Sequence, residues 1–190
     1  MVGKKNKHEE IPLVEGYTPE RRTISILAAN LWAVALLAVA GLAGWALMYR
    51  MHPSIAFEAM DSVWFIVMMV VGLAVHELVH GVTWLLLLHK GFRHLSFGMM
   101  TGAIYCHIDV PMVKRQYVIG ALMPLLLVGL VPWVAGIAAG SLLWMAAGAT
   151  MISGAAGDLM IVWAIRKEPS SALVYDHPSE AGCFVYSKNQ

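Results

Sequence analysis

Charged residues are scarce in this sequence. Asp, Glu, Lys and Arg make up 13% of the 190 residues, about half their share in a typical soluble domain. Hydrophobic residues make up 59%. The net charge of +1 provides no strongly basic surface for a phosphate backbone, so nucleic acid is not an expected partner. The composition predicts an integral membrane protein surrounded by a lipid bilayer.

Cysteine is also scarce. The chain contains two, Cys106 and Cys183, which is too few for a disulfide framework. A single bridge is less expected than two free thiols, because both positions are predicted below to face the reducing cytoplasm.

Long apolar segments dominate what is present, and each approaches or exceeds the roughly 20 residues that a transmembrane helix needs. The first is too long for the apolar part of a signal peptide, so we interpret it as an uncleaved span. The third contains Pro124 and Pro132, which leaves a kinked or re-entrant segment as an alternative. The four segments are residues 24–49, 62–89, 117–139 and 141–165.

Basic residues indicate the orientation of these spans. They cluster before the first segment, in residues 90–116 and after the fourth segment, whereas the other two loops share a single basic residue, Arg50. The positive-inside rule therefore places both termini and the 90–116 loop in the cytoplasm. The predicted fold is an all-α membrane protein, a bundle of four transmembrane helices.

Two segments outside the spans have strand-like patterns. Residues 95–99 and 103–105 are separated by a turn that contains Gly102, which favours a short β-hairpin between the second and third spans. Residues 183–186 could form a further strand if a partner sheet exists.

The second span contains the sequence His-Glu-Leu-Val-His, in which His76 and His80 lie four residues apart. Helical pitch places both imidazoles on one face, where they can bind one cation. Glu77 projects about 100° away, beside the metal position. Two imidazoles and a neighbouring carboxylate suit a zinc hydrolase, and ionisable residues within a span are usually functional.

Asp158 is the ionisable residue inside the fourth span. Counting from the basic residues at the span ends, His80 lies about 15 Å and Asp158 about 12 Å from the cytoplasmic boundary, at 1.5 Å per residue. The two side chains could therefore lie at one level. The small residues 153–157 would allow close helix approach, although Asp158 could instead be a structural hydrogen-bond partner or part of a proton path.

Other candidates lie outside the spans. Cys106 and His107 could provide soft metal ligands, His107 could bind a transition-state oxyanion, or it could be an ordinary loop histidine. Asp109 and His177 are more often solvated loop residues than site residues.

The sequence resembles a known group. An HExxH helix followed by a distant Asp is similar to the site-2 protease class of intramembrane metalloproteases. The combination of His76 to His80, residues 106–111, Gly157-Asp158 and residues 176–178 more specifically resembles a bacterial family described as "putative zincin peptidase", of unknown function. One departure from the better-known proteases is the absence of an Asn-Pro pair near Asp158.

This resemblance implies a bacterial inner-membrane protein in which His76, His80 and Asp158 bind Zn²⁺ and Glu77 is the general base. It favours a membrane metallopeptidase-like domain of residues 24–165, between cytoplasmic segments 1–23 and 166–190. We predict zinc-dependent hydrolysis of a membrane-protein or peptide substrate, with Glu77 and His107 as catalytic residues. The alternatives are a metal-binding pseudoprotease and, less favoured, a cation or proton transport subunit. The oligomeric state stays open.

Overall fold

A computed structural model describes residues 11–54, 59–100, 103–178 and 180–188. These residues form six α-helices and six strands. The helices, α1 to α6, are Ile26–Met51, Ala59–Leu88, Lys114–Pro124, Val131–Ala139, Leu142–Gly154 and Ala156–Ala164. The strands, β1 to β6, are Tyr17–Thr23, Leu95–Met100, Ala103–Ile108, Met112–Val113, Leu173–Asp176 and Gly182–Lys188.

Four helical runs are long and apolar enough to cross a membrane, and they correspond to the four predicted segments. Their outer faces expose large apolar side chains such as Leu42 and Val70, which a soluble protein would not leave in water. That they cross a bilayer with both termini in the cytoplasm stays a prediction. The runs are Ile26–Met51, Met60–Leu88, Lys114–Ala139 and Leu142–Ala164.

The third run is a continuous helix with a local distortion. A π-helical segment, Leu125–Leu130, joins α3 to α4, and Pro132 lies in the first turn of α4. Proline has no N–H with which to continue the α-helical hydrogen-bond ladder, so the ladder rearranges just before it. The two prolines thus distort this helix without ending it.

The fourth run is interrupted near its middle. Ala155, which is fully buried, leaves helical geometry (φ −78°, ψ 7°) and separates α5 from α6. Asp158 consequently lies in the first turn of α6. The partial positive charge of a helix N-terminus favours a carboxylate at this position.

The described residues are mostly helical, as predicted, but they also form a four-stranded sheet that the all-α prediction did not include. The order is β1-β6-β5-β4 and every pairing is antiparallel. The suspected strand at residues 183–186 is confirmed within β6, which pairs with β1 on one side and β5 on the other. The pairing of β1 with β6 joins residues between 159 and 171 positions apart, which local patterns do not reveal.

The predicted hairpin between the second and third spans is confirmed as the two-stranded sheet of β2 and β3. The main core lies where the four-stranded sheet meets α2, α3 and α6. It includes Trp84, Ile108, Tyr117 and Val174, each at most 3% exposed. This core joins the four-stranded sheet to α2, which carries the two histidines.

Candidate metal centre

His76, His80 and Asp158 converge on one point between α2 and α6. Nε2 of His76 lies 3.2 Å from Oδ2 of Asp158, and Nε2 of His80 lies 3.4 Å from Oδ1. One ligand atom from each residue lies within 4.8 Å of the others. The helical spacing and the depth estimate therefore predicted this proximity correctly.

The three side chains have the chemistry and spacing of a zinc site. Bonds of about 2.1 Å in a tetrahedral arrangement place neighbouring ligand atoms roughly 3.4 Å apart. The two His–Asp distances are close to that value. Two imidazoles and one carboxylate would leave a fourth position free, as in catalytic zinc sites.

His80 is held by the backbone of α3. Its Nδ1 lies 3.0 Å from the carbonyl oxygen of Gly120, which can only accept a hydrogen bond. Nδ1 must therefore carry the proton in this contact, which leaves Nε2 free to bind a metal. The structure thus selects the tautomer that a ligand requires.

A stack of aromatic rings continues from His80 into the core. The ring of Trp84 stacks on His80 with centroids 5.4 Å apart, and Tyr117 stacks on Trp84 at 5.6 Å. The Trp84 indole N–H also donates to the Tyr117 carbonyl at 3.2 Å. Gly120 permits this packing, since a Cβ there would lie 2.0 Å from Nε1 of Trp84.

Glu77 lies beside the three candidate ligands rather than among them. Its carboxylate lies within electrostatic range of the imidazoles of His76 and His80 and interacts with the backbone N–H of Cys106 in β3. The hairpin approaches α2 closely because Gly81 has no side chain, and a Cβ there would lie 2.6 Å from Leu95. The geometry thus places a carboxylate next to the candidate metal position.

A cavity of about 210 Å³ opens onto this group. The candidate ligands and Glu77 form one side, and the ends of β5 and β6 form part of another. The cavity is large enough for several water molecules or a short piece of extended chain. Lining residues from the second side include Asp176, His177, Pro178 and Gly182.

His107 does not lie where a group that contacts substrate would be expected. Its side chain is 1% exposed and is not among the described residues that line the cavity. Nδ1 lies 3.2 Å from Oδ2 of Asp176, and the Tyr175 hydroxyl lies 3.5 Å from Nε2. Its predicted catalytic role stays a prediction, and these contacts favour a structural or positioning role instead.

The remaining candidates are dispersed. Asp109 contacts His94 at 2.7 Å at the base of the hairpin, away from the candidate ligands. His177 lines the cavity and stacks on Phe184, with centroids 4.7 Å apart. Burial, with the nearby charges of Asp176 and Glu77, raises the pKa of the Cys106 thiol to about 12, which disfavours the thiolate that a soft ligand requires.

Sequence reasoning gave no role to Trp84, Tyr117 or Asp176. The first two carried no signal, since aromatic residues are common in membrane proteins. Asp176 lies in the Asp-His-Pro sequence that contributed to the family resemblance, and this was the sequence signal that could have marked it as a functional residue.

Comparison with known proteins gives one match. A family model described as "Putative zincin peptidase" matches residues 69–173, which contain both histidines, Glu77 and Asp158. Neither the curated proteins nor the solved structures give a match.

Proposed function

The chain belongs to the family described as "Putative zincin peptidase", and we propose that it is a zinc-dependent peptidase that cleaves peptide bonds within or close to the membrane. The observation that carries this proposal is the convergence of three suitable ligand atoms within 4.8 Å, with Glu77 in the same cavity. Family membership supports a zinc metallopeptidase, whereas the site-2 protease-like subtype and the place of action are our inference.

His76, His80 and Asp158 would hold the zinc ion. When bound, zinc acidifies water and polarises a carbonyl group. The hydrogen bond from His80 to Gly120 keeps one ligand in the required tautomer. Both histidines are at least 94% buried, so little ligand motion is expected.

Glu77 would be the general base. Its carboxylate would accept a proton from the attacking water and transfer it to the amine of the leaving peptide. The Cys106 amide that interacts with this carboxylate would keep it oriented towards the cavity. Glu77 would therefore be required for turnover but not for metal binding.

The substrate would be a membrane protein or peptide in an extended conformation. A helix buries its carbonyl groups in its own hydrogen bonds, so a helical segment must unwind before cleavage. Among the described residues β3 pairs with β2 alone, and its segment at Ile104 to Cys106 lines the cavity. An extended substrate could add as a strand along this edge.

The test uses the full-length protein purified in detergent. Zinc content is measured by mass spectrometry, and new peptide N-termini are counted after incubation with detergent-extracted bacterial membrane proteins. We expect about one zinc per chain in the wild type and in Glu77→Gln. New N-termini should appear with the wild type and be absent with Glu77→Gln or after chelation.

Other outcomes would identify the alternatives. Equal numbers of new N-termini from the wild type and Glu77→Gln would exclude Glu77 as the base. Bound zinc without new N-termini from either protein would contradict the peptidase proposal and support a pseudoprotease. Zinc-independent cation flux in liposomes would support a transport subunit.

A further inference from the structure

We propose that Asp176, at the end of β5, is a positioning residue that orients both the candidate ligand His80 and the candidate base Glu77. This inference rests on the proposed function and deepens it. One carboxylate would connect the sheet formed by the chain termini with the metal position and with the base, through two separate sets of contacts.

The two oxygens of Asp176 have different partners. Oδ1 accepts a hydrogen bond from the Tyr117 hydroxyl at 3.1 Å, and Oδ2 lies 3.2 Å from Nδ1 of His107. The Asp176 side chain is 13% exposed and lines the cavity. A carboxylate with so little exposure is costly unless its oxygens are hydrogen-bonded, and here both have a partner.

The first set of contacts leads to the ligand. Tyr117 and Gly120 are one turn apart on α3, and their carbonyls accept hydrogen bonds from Trp84 and His80 respectively. Trp84 is stacked between the other two rings. The hydrogen bond from Tyr117 to Asp176 therefore fixes the turn of α3 that aligns His80.

The second set leads to the base. His107 follows Cys106 in β3, and the Cys106 backbone N–H interacts with the Glu77 carboxylate. His107 is held between Asp176 and the Tyr175 hydroxyl. Burial, with the charges of Asp109 and Asp176, raises the pKa of Tyr175 to about 12, so its hydroxyl keeps its proton and can donate to Nε2. These contacts hold β3 in place at His107, which is the neighbour of Cys106, whose amide faces Glu77.

Single substitutions should therefore disturb the contacts that lead to His80 and the contacts that lead to Glu77 independently. Tyr117→Phe removes one hydroxyl and keeps the stacked ring, so it should disturb the ligand alone. His107→Phe removes the donor to Asp176 and should disturb the base alone, whereas His107→Asn keeps an N–H donor near the Nδ1 position. Asp176→Asn replaces one acceptor oxygen by an NH₂ group and should disturb both.

The experiment measures two quantities on purified full-length protein. Zinc affinity is determined by competition with a chromophoric chelator, and turnover is the initial rate of new N-termini in membrane-protein extract at saturating zinc. We expect Tyr117→Phe and Asp176→Asn to weaken zinc affinity about tenfold, the size typical of residues that orient metal ligands. We expect His107→Phe to keep its zinc affinity within about twofold while turnover falls about tenfold, with His107→Asn restoring most of the rate.

His94→Asn is the matched control. It alters a His–Asp contact in the same part of the fold, keeps the Asp109 carboxylate, and should change neither quantity. Thermal unfolding shows whether each variant is folded. If Asp176→Asn does not fold, Tyr117→Phe decides the question, because it removes only one hydroxyl group.

Two results would overturn the inference. One is wild-type zinc affinity in both Tyr117→Phe and Asp176→Asn. The other is equal loss of turnover in His107→Phe and His107→Asn, since the second keeps the donor. Zinc affinity is read without any cleavage. A wild type that binds zinc and cuts nothing would therefore refute the proposed function and, with it, the role of Asp176 towards the base, while the zinc affinities of Tyr117→Phe and Asp176→Asn would still test its role towards His80.

Discussion

Helix α2 and the four-stranded sheet contribute to the same cavity in different ways. On α2, His76, Glu77 and His80 lie within five residues, and helical pitch alone places them together. The sheet combines residues from both ends of the chain, with Thr23 opposite Gly182 in the pairing of β1 with β6. Apart from Asp158, the residues proposed to carry the chemistry are therefore close together in sequence, whereas the residues that support them are not.

Because of this difference, substitutions in the two regions should have different effects. Changes to His76 or His80 on α2 should weaken metal binding at the candidate site and leave the sheet in place. Changes in the sheet should reduce stability and leave the ligand atoms intact, except at Asp176, where the two regions are connected through Tyr117 and His107.

The largest expected effect tests the helix. His80→Ala removes one of three candidate ligands, and we expect zinc affinity to fall by at least about 100-fold, more than the loss of a group that only orients a ligand. Zinc content after dialysis against a weak chelator is the measurement. His94→Ala is the control, because His94 contacts Asp109 at the hairpin base and is not in the candidate ligand group. Full zinc content in His80→Ala would remove this site from consideration.

A smaller effect is expected from the sheet. Val174 in β5 is fully buried against the main core, and Val174→Ala removes two carbon atoms. We expect the free energy of unfolding to fall by about 2 kcal/mol, from lost burial and the cavity left behind. Thermal unfolding measures the change, with zinc affinity determined on the same sample.

The expected zinc affinity of Val174→Ala is within about twofold of the wild type below its unfolding temperature. A tenfold loss would mean that packing in the sheet, and not only the Asp176 carboxylate, sets the ligand geometry. That result would remove the distinction between the two regions.

The sequence predicted the helical part of the site well for a physical reason. The spacing of His76 and His80 is read directly from helical pitch, and ionisable residues are so rare in apolar spans that Asp158 was the natural third member. The hairpin of β2 and β3 was equally accessible, because its two strands are adjacent in sequence and flank a glycine turn.

The sheet was not predictable in the same way. Residues 17–23 include Pro19, Glu20 and two arginines, which are poor strand formers without a partner. Their pairing depends on β6 at the other end of the chain. His107 shows the same limitation: its residue type marked it as a candidate, but its contact with Asp176 depends on long-range packing.

The smallest expected effect concerns His177, in the turn between β5 and β6. Burial lowers its pKa from the ordinary value of 6.5 with the help of the positive charge of Arg21, and the carboxylates of Glu180 and Asp176 oppose this shift only in part. The Glu180 backbone N–H also donates to Nδ1 at 2.9 Å, which requires an unprotonated nitrogen. The folded state therefore binds a proton less readily than the unfolded chain.

The sign of the pH dependence follows from this difference. Between the two pKa values the unfolded chain binds more protons, so the stability contributed by His177 is present above pH 6.5 and is lost as the pH falls below it. We expect the unfolding temperature to fall less between pH 7.5 and pH 5.5 in His177→Gln than in the wild type. All other titratable groups are the same in both proteins, so the difference between the two curves isolates His177. Parallel curves would show that His177 does not contribute to the pH dependence of stability.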